Sequence, residues 1–84
     1  MQAPGLTLKI EVFLKPGVLD VQGKAVEAAL HGLGWPGASD VRVGRVITLT
    51  LTETDPAAAE VAARAMCERL LANAVIETFA ITVG

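Results

Sequence analysis

Asp40-Val41-Arg42-Val43-Gly44-Arg45-Val46-Ile47-Thr48-Leu49-Thr50-Leu51-Thr52 is the stretch whose reading decides the fold. Its Val, Ile, Thr and Leu content marks Val41 to Thr52 as β, because branched side chains pack well on a pleated surface. Counting in twos puts Val41, Val43, Arg45, Ile47, Leu49 and Leu51 on one face, so a regular strand would seat Arg45 among apolar neighbours. A break near Gly44-Arg45 removes that conflict. It is either a tight hairpin with glycine at the first turn position or a bulge within one long bent strand. A hairpin gives the ferredoxin-like order. A continuous strand outruns its own sheet and exposes unpaired backbone groups unless a second chain covers them.

Upstream, Leu6, Leu8, Ile10, Val12 and Leu14 alternate with Thr7, Lys9, Glu11 and Phe13, the period-two pattern of a strand with one buried face. Pro16-Gly17 stops it, and Asp20 can cap a helix running to about Leu33, where Gly32 and Gly34 end it. That helix carries an apolar stripe of Val26, Ala29, Leu30 and Leu33, expected to face the core, opposite Lys24, Glu27, Ala28 and His31. Trp35-Pro36-Gly37-Ala38-Ser39 reads as a loop. Downstream, Asp55-Pro56 is an N-cap followed by proline at the first helical position, and helix formers continue from Ala57 to Ala72. Ala59, Ala62, Ala63, Met66 and Leu70 share its core face, with Val61, Ala65 and Leu71 elsewhere. Asn73 suits the helix end. Val75 to Val83 makes the last strand, with Val75, Phe79, Ile81 and Val83 on one face. The order predicts α+β architecture: one domain over residues 1–84, two helices on one face of a largely antiparallel sheet of three or four strands, shared or extended in a dimer.

The chain has 84 residues, 52% of them hydrophobic and 19% charged, which describes a packed domain rather than a disordered segment. A domain this small buries only about 60% of the surface of its unfolded chain. One Cys and one His leave no internal disulfide and no structural metal site, so self-association is the expected remedy. A net charge of −2, with both signs spread along the chain, lacks the footprint of a nucleic-acid binder. The opening residues Met1 to Leu8 lack the form of a leader, and no apolar run approaches the roughly 20 residues of a membrane span; a cytoplasmic protein is expected.

Catalytic groups are hard to find. His31 falls on the outer face of the first helix, and Cys67 borders the buried face of the second, so no nucleophile meets a base. Asp20, Asp40, Glu53 and Asp55 sit where capping and turns explain them, and Gly5, Gly17, Gly32, Gly34, Gly37 and Gly44 read as turn residues rather than a phosphate-binding loop. Lys24, Arg42 and Arg45 are isolated basic residues, and Arg45 is the least explained locally. Gly23, in the first helical turn, costs about 1 kcal/mol relative to alanine and serves best where backbones approach closely. Gln22 points to the core side of that turn, where its amide needs a partner.

Lys15-Pro16-Gly17-Val18-Leu19-Asp20-Val21-Gln22-Gly23-Lys24-Ala25-Val26 resembles the opening of the PurS subunit family of phosphoribosylformylglycinamidine synthase. Asp40 to Arg45 followed by Ile47 is similar to that family's middle strand. Met66 to Asn73 with Val75-Ile76-Glu77 is similar to its helix end and last strand. Val21 and Ala74 stand where the family commonly has proline, and Arg45 where lysine is frequent. The resemblance implies a small non-catalytic subunit, without a cofactor or metal of its own. As a dimer or tetramer it bridges a glutaminase subunit and a synthetase subunit that uses ATP and magnesium, so the enzyme activity would be an ATP-dependent amidoligase held by the complex. Asp20, Gln22, Gly23, Arg42, Arg45 and Asn73 are the expected partner-contact residues. The alternative is a dimeric ferredoxin-like regulatory module that binds a small metabolite; a stand-alone enzyme is disfavoured because no nucleophile and base come together.

Overall fold

A computed structural model of the chain describes residues 5–84. Its strands are β1 (Leu6–Leu14), β2 (Arg45–Leu51) and β3 (Glu77–Val83), and its helices α1 (Val21–Gly32) and α2 (Pro56–Met66), the latter continued by a π-helical turn over Cys67–Leu71. The strand order is β2-β1-β3, with both flanking strands antiparallel to the central one. β2 and β3 therefore run parallel to each other, and the α2 connection between them crosses over β1, a split β-α-β unit. The expected α+β class with an antiparallel sheet is what forms.

The two-residue period of β1 sets the core. Leu8, Ile10 and Val12 are completely or almost completely buried, and the register pairs Leu8 with Leu49 and Val83, Ile10 with Ile47 and Ile81, and Val12 with Arg45 and Phe79. α2 lies over β1 and β3 through Ala59 and Ala63, whose small side chains let the helix axis approach the sheet. Arg64 on the same helix reaches over the Phe79 ring, 5.6 Å from its centroid.

The structure corrects several sequence expectations. Gly44 is neither a hairpin corner nor a bulge: β2 begins at Arg45, and residues 41–44 approach it as irregular chain. A Cβ on Gly44 would stand 2.5 Å from the Val12 carbonyl oxygen and 2.6 Å from the Phe13 ring, so this glycine is a point of backbone contact rather than a turn. Arg45 keeps the period and does sit on the apolar face, at the end of an edge strand where its guanidinium finds polar partners. Leu70, expected inside, is 82% exposed. The π turn explains this: its extra residue shifts the phase, so the position after Met66 on the core face falls to Leu71 rather than Leu70. Val75 precedes β3 in a turn and is exposed.

The largest departure concerns α1. Asp20 caps it as expected, accepting from the Gly23 amide at 2.7 Å, but the stripe does not pack along the sheet of its own chain. Val26 and Leu33 are 39% and 71% exposed, and Gly23 is the only buried residue of the helix. α1 and the loop after it form an arm, and the described chain measures 47 × 32 × 16 Å. His31 belongs to this arm internally, its Nε2–H donating to the Ala38 carbonyl oxygen at 2.6 Å. The expected absence of a leader concerns in part Met1 to Pro4, which lie outside the described residues. Among the described residues no helix is long and apolar enough to cross a membrane.

Candidate functional site

Four consecutive residues, Arg42 to Arg45, each fasten a different part of the molecule. The Arg42 guanidinium donates to the Leu14 carbonyl at 2.8 Å and lies 3.5 Å from that of Lys15, tying the segment to the end of β1. The Val43 amide donates to the Asp20 carboxylate at 2.8 Å, tying it to the start of α1. Gly44 presses on β1, as described. Arg45 donates through both terminal nitrogens to the Glu77 carboxylate, at 2.7 and 3.0 Å, and through Nη2 to the Leu71 carbonyl at 2.6 Å, joining β2 to β3 and to the end of the π turn.

Two carboxylates organise these ties. Asp20 is nearly buried and uses one oxygen for Gly23 N–H and the other for Val43 N–H, with the Arg42 side chain 3.9 Å away. The Val43 and Gly23 amides, helped by Arg42, hold its pKa below the ordinary 3.8 against the opposing effect of burial. Glu77 is held below its ordinary 4.5 first by the Arg45 guanidinium and then by the Asn73 amide, which donates to it at 2.7 Å. Arg45 is in turn held charged by Glu77, which raises its pKa. Gly23 is required at the same place, because a Cβ there would collide with the Val41 carbonyl oxygen and stand 2.7 Å from the Asp20 carboxylate. The expectation of a close backbone approach at Gly23 is met.

Five of the six residues singled out from the sequence fall in two linked groups. Asp20, Gly23 and Arg42 surround the start of α1, and Arg45 with Asn73 joins the ends of β2, the π turn and β3. A half-open cavity of about 370 Å3 touches both groups, and Val12, Leu14, Gly44, Asp20, Arg45 and Glu77 are among the residues that line it. Gln22 also lines it, but its side chain is exposed rather than turned into the core. Asn73 organises the turn before β3: its side-chain oxygen accepts from the Val75 amide at 3.1 Å and its carbonyl from the Glu77 amide at 2.7 Å. The residue the sequence reading left out is Glu77. A signal for it exists, since Arg45 and Glu77 each interrupt an otherwise apolar alternation, and one such interruption of each sign predicts a pair across the sheet.

Chemically, the arrangement holds backbone in place. Its charged groups already serve one another, and Cys67 is fully buried, with its thiol pKa pushed up by desolvation, which keeps it protonated and unreactive at neutral pH. Among the described residues no three His, Cys, Asp or Glu side chains come together as a metal site.

Comparison with known proteins gives one consistent result. The profile of the family described as PurS, phosphoribosylformylglycinamidine (FGAM) synthase, matches residues 7–84. The chain is 48% identical over 71 residues to the phosphoribosylformylglycinamidine synthase subunit PurS of Synechocystis sp., a match covering 84% of this chain and 71% of that protein. Among solved structures it is similar to Bacillus subtilis PurS, with a TM-score of 0.84 and 42% identity over 94% of this chain and 98% of the other. It is also similar to a chain in the structure of PurLQS from Thermotoga maritima, with a TM-score of 0.87 and 25% identity over 96% and 99%. The continuous match over residues 7–84, with relatives of this identity and coverage, means that the chain belongs to the PurS family of phosphoribosylformylglycinamidine synthase subunits.

Proposed function

We propose that this chain is the small assembly subunit of a cytoplasmic phosphoribosylformylglycinamidine synthase complex in de novo purine biosynthesis. In this reading it self-associates and bridges a glutaminase subunit and an ATP-dependent synthetase subunit. It assists the passage of ammonia released from glutamine to the synthetase, where formylglycinamide ribonucleotide becomes formylglycinamidine ribonucleotide. ATP and magnesium act on the synthetase, and this chain contributes no reacting group.

The observation that carries the reading is what the charged residues of the candidate site do. Asp20, Arg42, Arg45 and Glu77 hold one segment of backbone, which is the work of a scaffold that must present a fixed surface. The likeness to a chain of the PurLQS assembly supports the same reading. In the proposal Gln22 and the exposed edges of the cavity beside it face a partner, while the Asp20 and Arg45 groups fix their positions from behind.

The test compares product formation from glutamine with that from free ammonia, in glutaminase and synthetase mixtures with and without this protein. The expected result is a glutamine-dependent rate that requires this chain and an ammonia-dependent rate that changes far less. Equal rates with and without it, and no complex by sedimentation, would refute the assembly role.

A further inference from the structure

We infer that the end of α2 is a two-register switch: Arg45 holds it in the π winding with Leu71 against the core, and loss of that hold lets it wind as α-helix with Leu70 in the same place. The sequence allows both registers. Ala59 and Ala63 are fully buried and mark the core side of the helix. Counting about 100° per residue from Ala59, Leu70 falls within about 20° of that direction and Leu71 about 120° from it. Ordinary winding therefore buries Leu70. The structure does the reverse, with Leu70 82% exposed and Leu71 half-buried against the core. Because the two neighbours are both leucine, exchanging them changes neither the volume nor the polarity of the core.

The exchange turns on a backbone acceptor. The Cys67 carbonyl accepts from the Ala72 amide, five residues on, at 3.0 Å; in the α register it would accept from the Leu71 amide. The π winding is the rarer form, so contacts from outside the helix have to select it. Two such contacts come from the sheet. Arg45 Nη2 donates to the Leu71 carbonyl at 2.6 Å, and Glu77, paired with the same guanidinium, accepts from the Asn73 amide at 2.7 Å. Rewinding would carry the Leu71 carbonyl away from the arginine and pass the extra residue to positions 73–76, all exposed and therefore able to take it without disturbing the core. The Arg45 side chain is itself half-exposed and lines the cavity beside the start of α1. A group that enters this cavity and takes the guanidinium releases the Leu71 carbonyl and draws Leu70 from the surface into the core. The ligand's preference for free Arg45 is what shifts the balance between two packings of one sequence.

The inference goes beyond the assembly role and does not depend on it. The test uses the full chain at one protomer concentration. Leu70→Ala alone should move the thermal midpoint by less than about 2 °C, because the residue lies outside the core. In a Leu71→Ala chain, which keeps a leucine in the core only by rewinding, the same substitution should lower the midpoint by at least about 5 °C. Equal effects of Leu70→Ala in the two backgrounds refute the second register. The part played by Arg45 is read by thiol labelling in a Cys67→Ala background carrying one cysteine, at position 70 or 71. With Arg45 in place, Leu70→Cys should label at least about ten-fold faster than Leu71→Cys, as their exposures require. With Arg45→Met and Glu77→Gln together, which keep bulk and remove the ion pair, the order should reverse. An unchanged order in a chain that circular dichroism shows to be folded refutes Arg45 as the selector. Should that pair unfold the chain, Arg45→Lys, which cannot hold the carboxylate and the Leu71 carbonyl from two nitrogens, should narrow the gap to less than about three-fold; an unchanged gap carries the same refutation.

Discussion

Replacing Gly44 by alanine adds one methyl group where the backbone of the segment before β2 lies against β1. The new Cβ would stand 2.5 Å from the Val12 carbonyl oxygen, 2.6 Å from Phe13 Cδ1 and 2.7 Å from Cε1. The Phe13 ring is 39% exposed and can turn away, but the carbonyl belongs to the central strand and is fixed by its neighbours. Relief has to come from moving the 41–44 segment, and this disturbs the Val43 bond to Asp20 and the Arg45 bonds to Glu77 together. Overpacking of this kind costs about 1–3 kcal/mol. In a domain of this size each kcal/mol lowers the thermal midpoint by about 4–8 °C, so a fall of roughly 5–20 °C is expected. Gly32→Ala is the control, because a Cβ at this last residue of α1 has no neighbour within 4 Å and alanine there should be neutral or stabilising by up to about 1 kcal/mol. Both variants are unfolded in urea and by heat at one protomer concentration, since association shifts the midpoint. A Gly44→Ala chain as stable as the parent would refute the close packing of residue 44 on β1. Phe13→Ala in the same chain should restore only part of the loss, because the carbonyl contact remains.

Acid should loosen the same region first. Asp20 and Glu77 have folded pKa values below their ordinary 3.8 and 4.5, so each contributes stability above its unfolded value that disappears as pH falls through the lowered folded value. The unfolding midpoint should be nearly flat near neutrality and fall below about pH 4; Asp20→Asn should flatten that acid limb, and an identical limb in the variant would remove Asp20 from the account. Cys67, buried and with a raised pKa, should react with a disulfide reagent at neutral pH only as fast as the chain opens, and immediate labelling of the native protein would contradict its burial.

The elements with a strong local period were legible from the sequence. β1 reads directly because its alternate residues meet one covered and one open face. Asp20 and Asp55 mark both helix starts, since capping depends on the few residues that follow. Apart from Val75, which the Asn73 side chain two residues earlier holds in a turn, the errors come from information outside a local window. The amphipathic pattern of α1 says that a stripe will be covered, but not by which chain. The π turn leaves no mark in helix propensity, and only the cross-strand need of Arg45 and the burial of Leu71 expose it. Gly44 was misread because a glycine required by a neighbour's carbonyl looks the same, in sequence, as one required by a turn. Of the candidate site, the residues were named but their relation was not, because pairing Arg45 with Glu77 requires the strand order β2-β1-β3.

The π turn also constrains how this chain can vary in length. The final carbonyls of a helix lack intrahelical donors, and one of them, at Leu71, accepts from Arg45, while six residues later Glu77 receives the same guanidinium. Deleting one residue between Cys67 and Leu71 would restore ordinary helical winding and bring Leu71 to four residues after Met66, but it would also move that acceptor relative to the arginine and shift the start of β3. Substitutions at exposed positions such as Glu68 and Leu70 leave this geometry alone. The count of residues from Met66 to Glu77 is therefore under tighter control than their identities, and insertions or deletions compatible with this fold belong in the 33–40 loop instead.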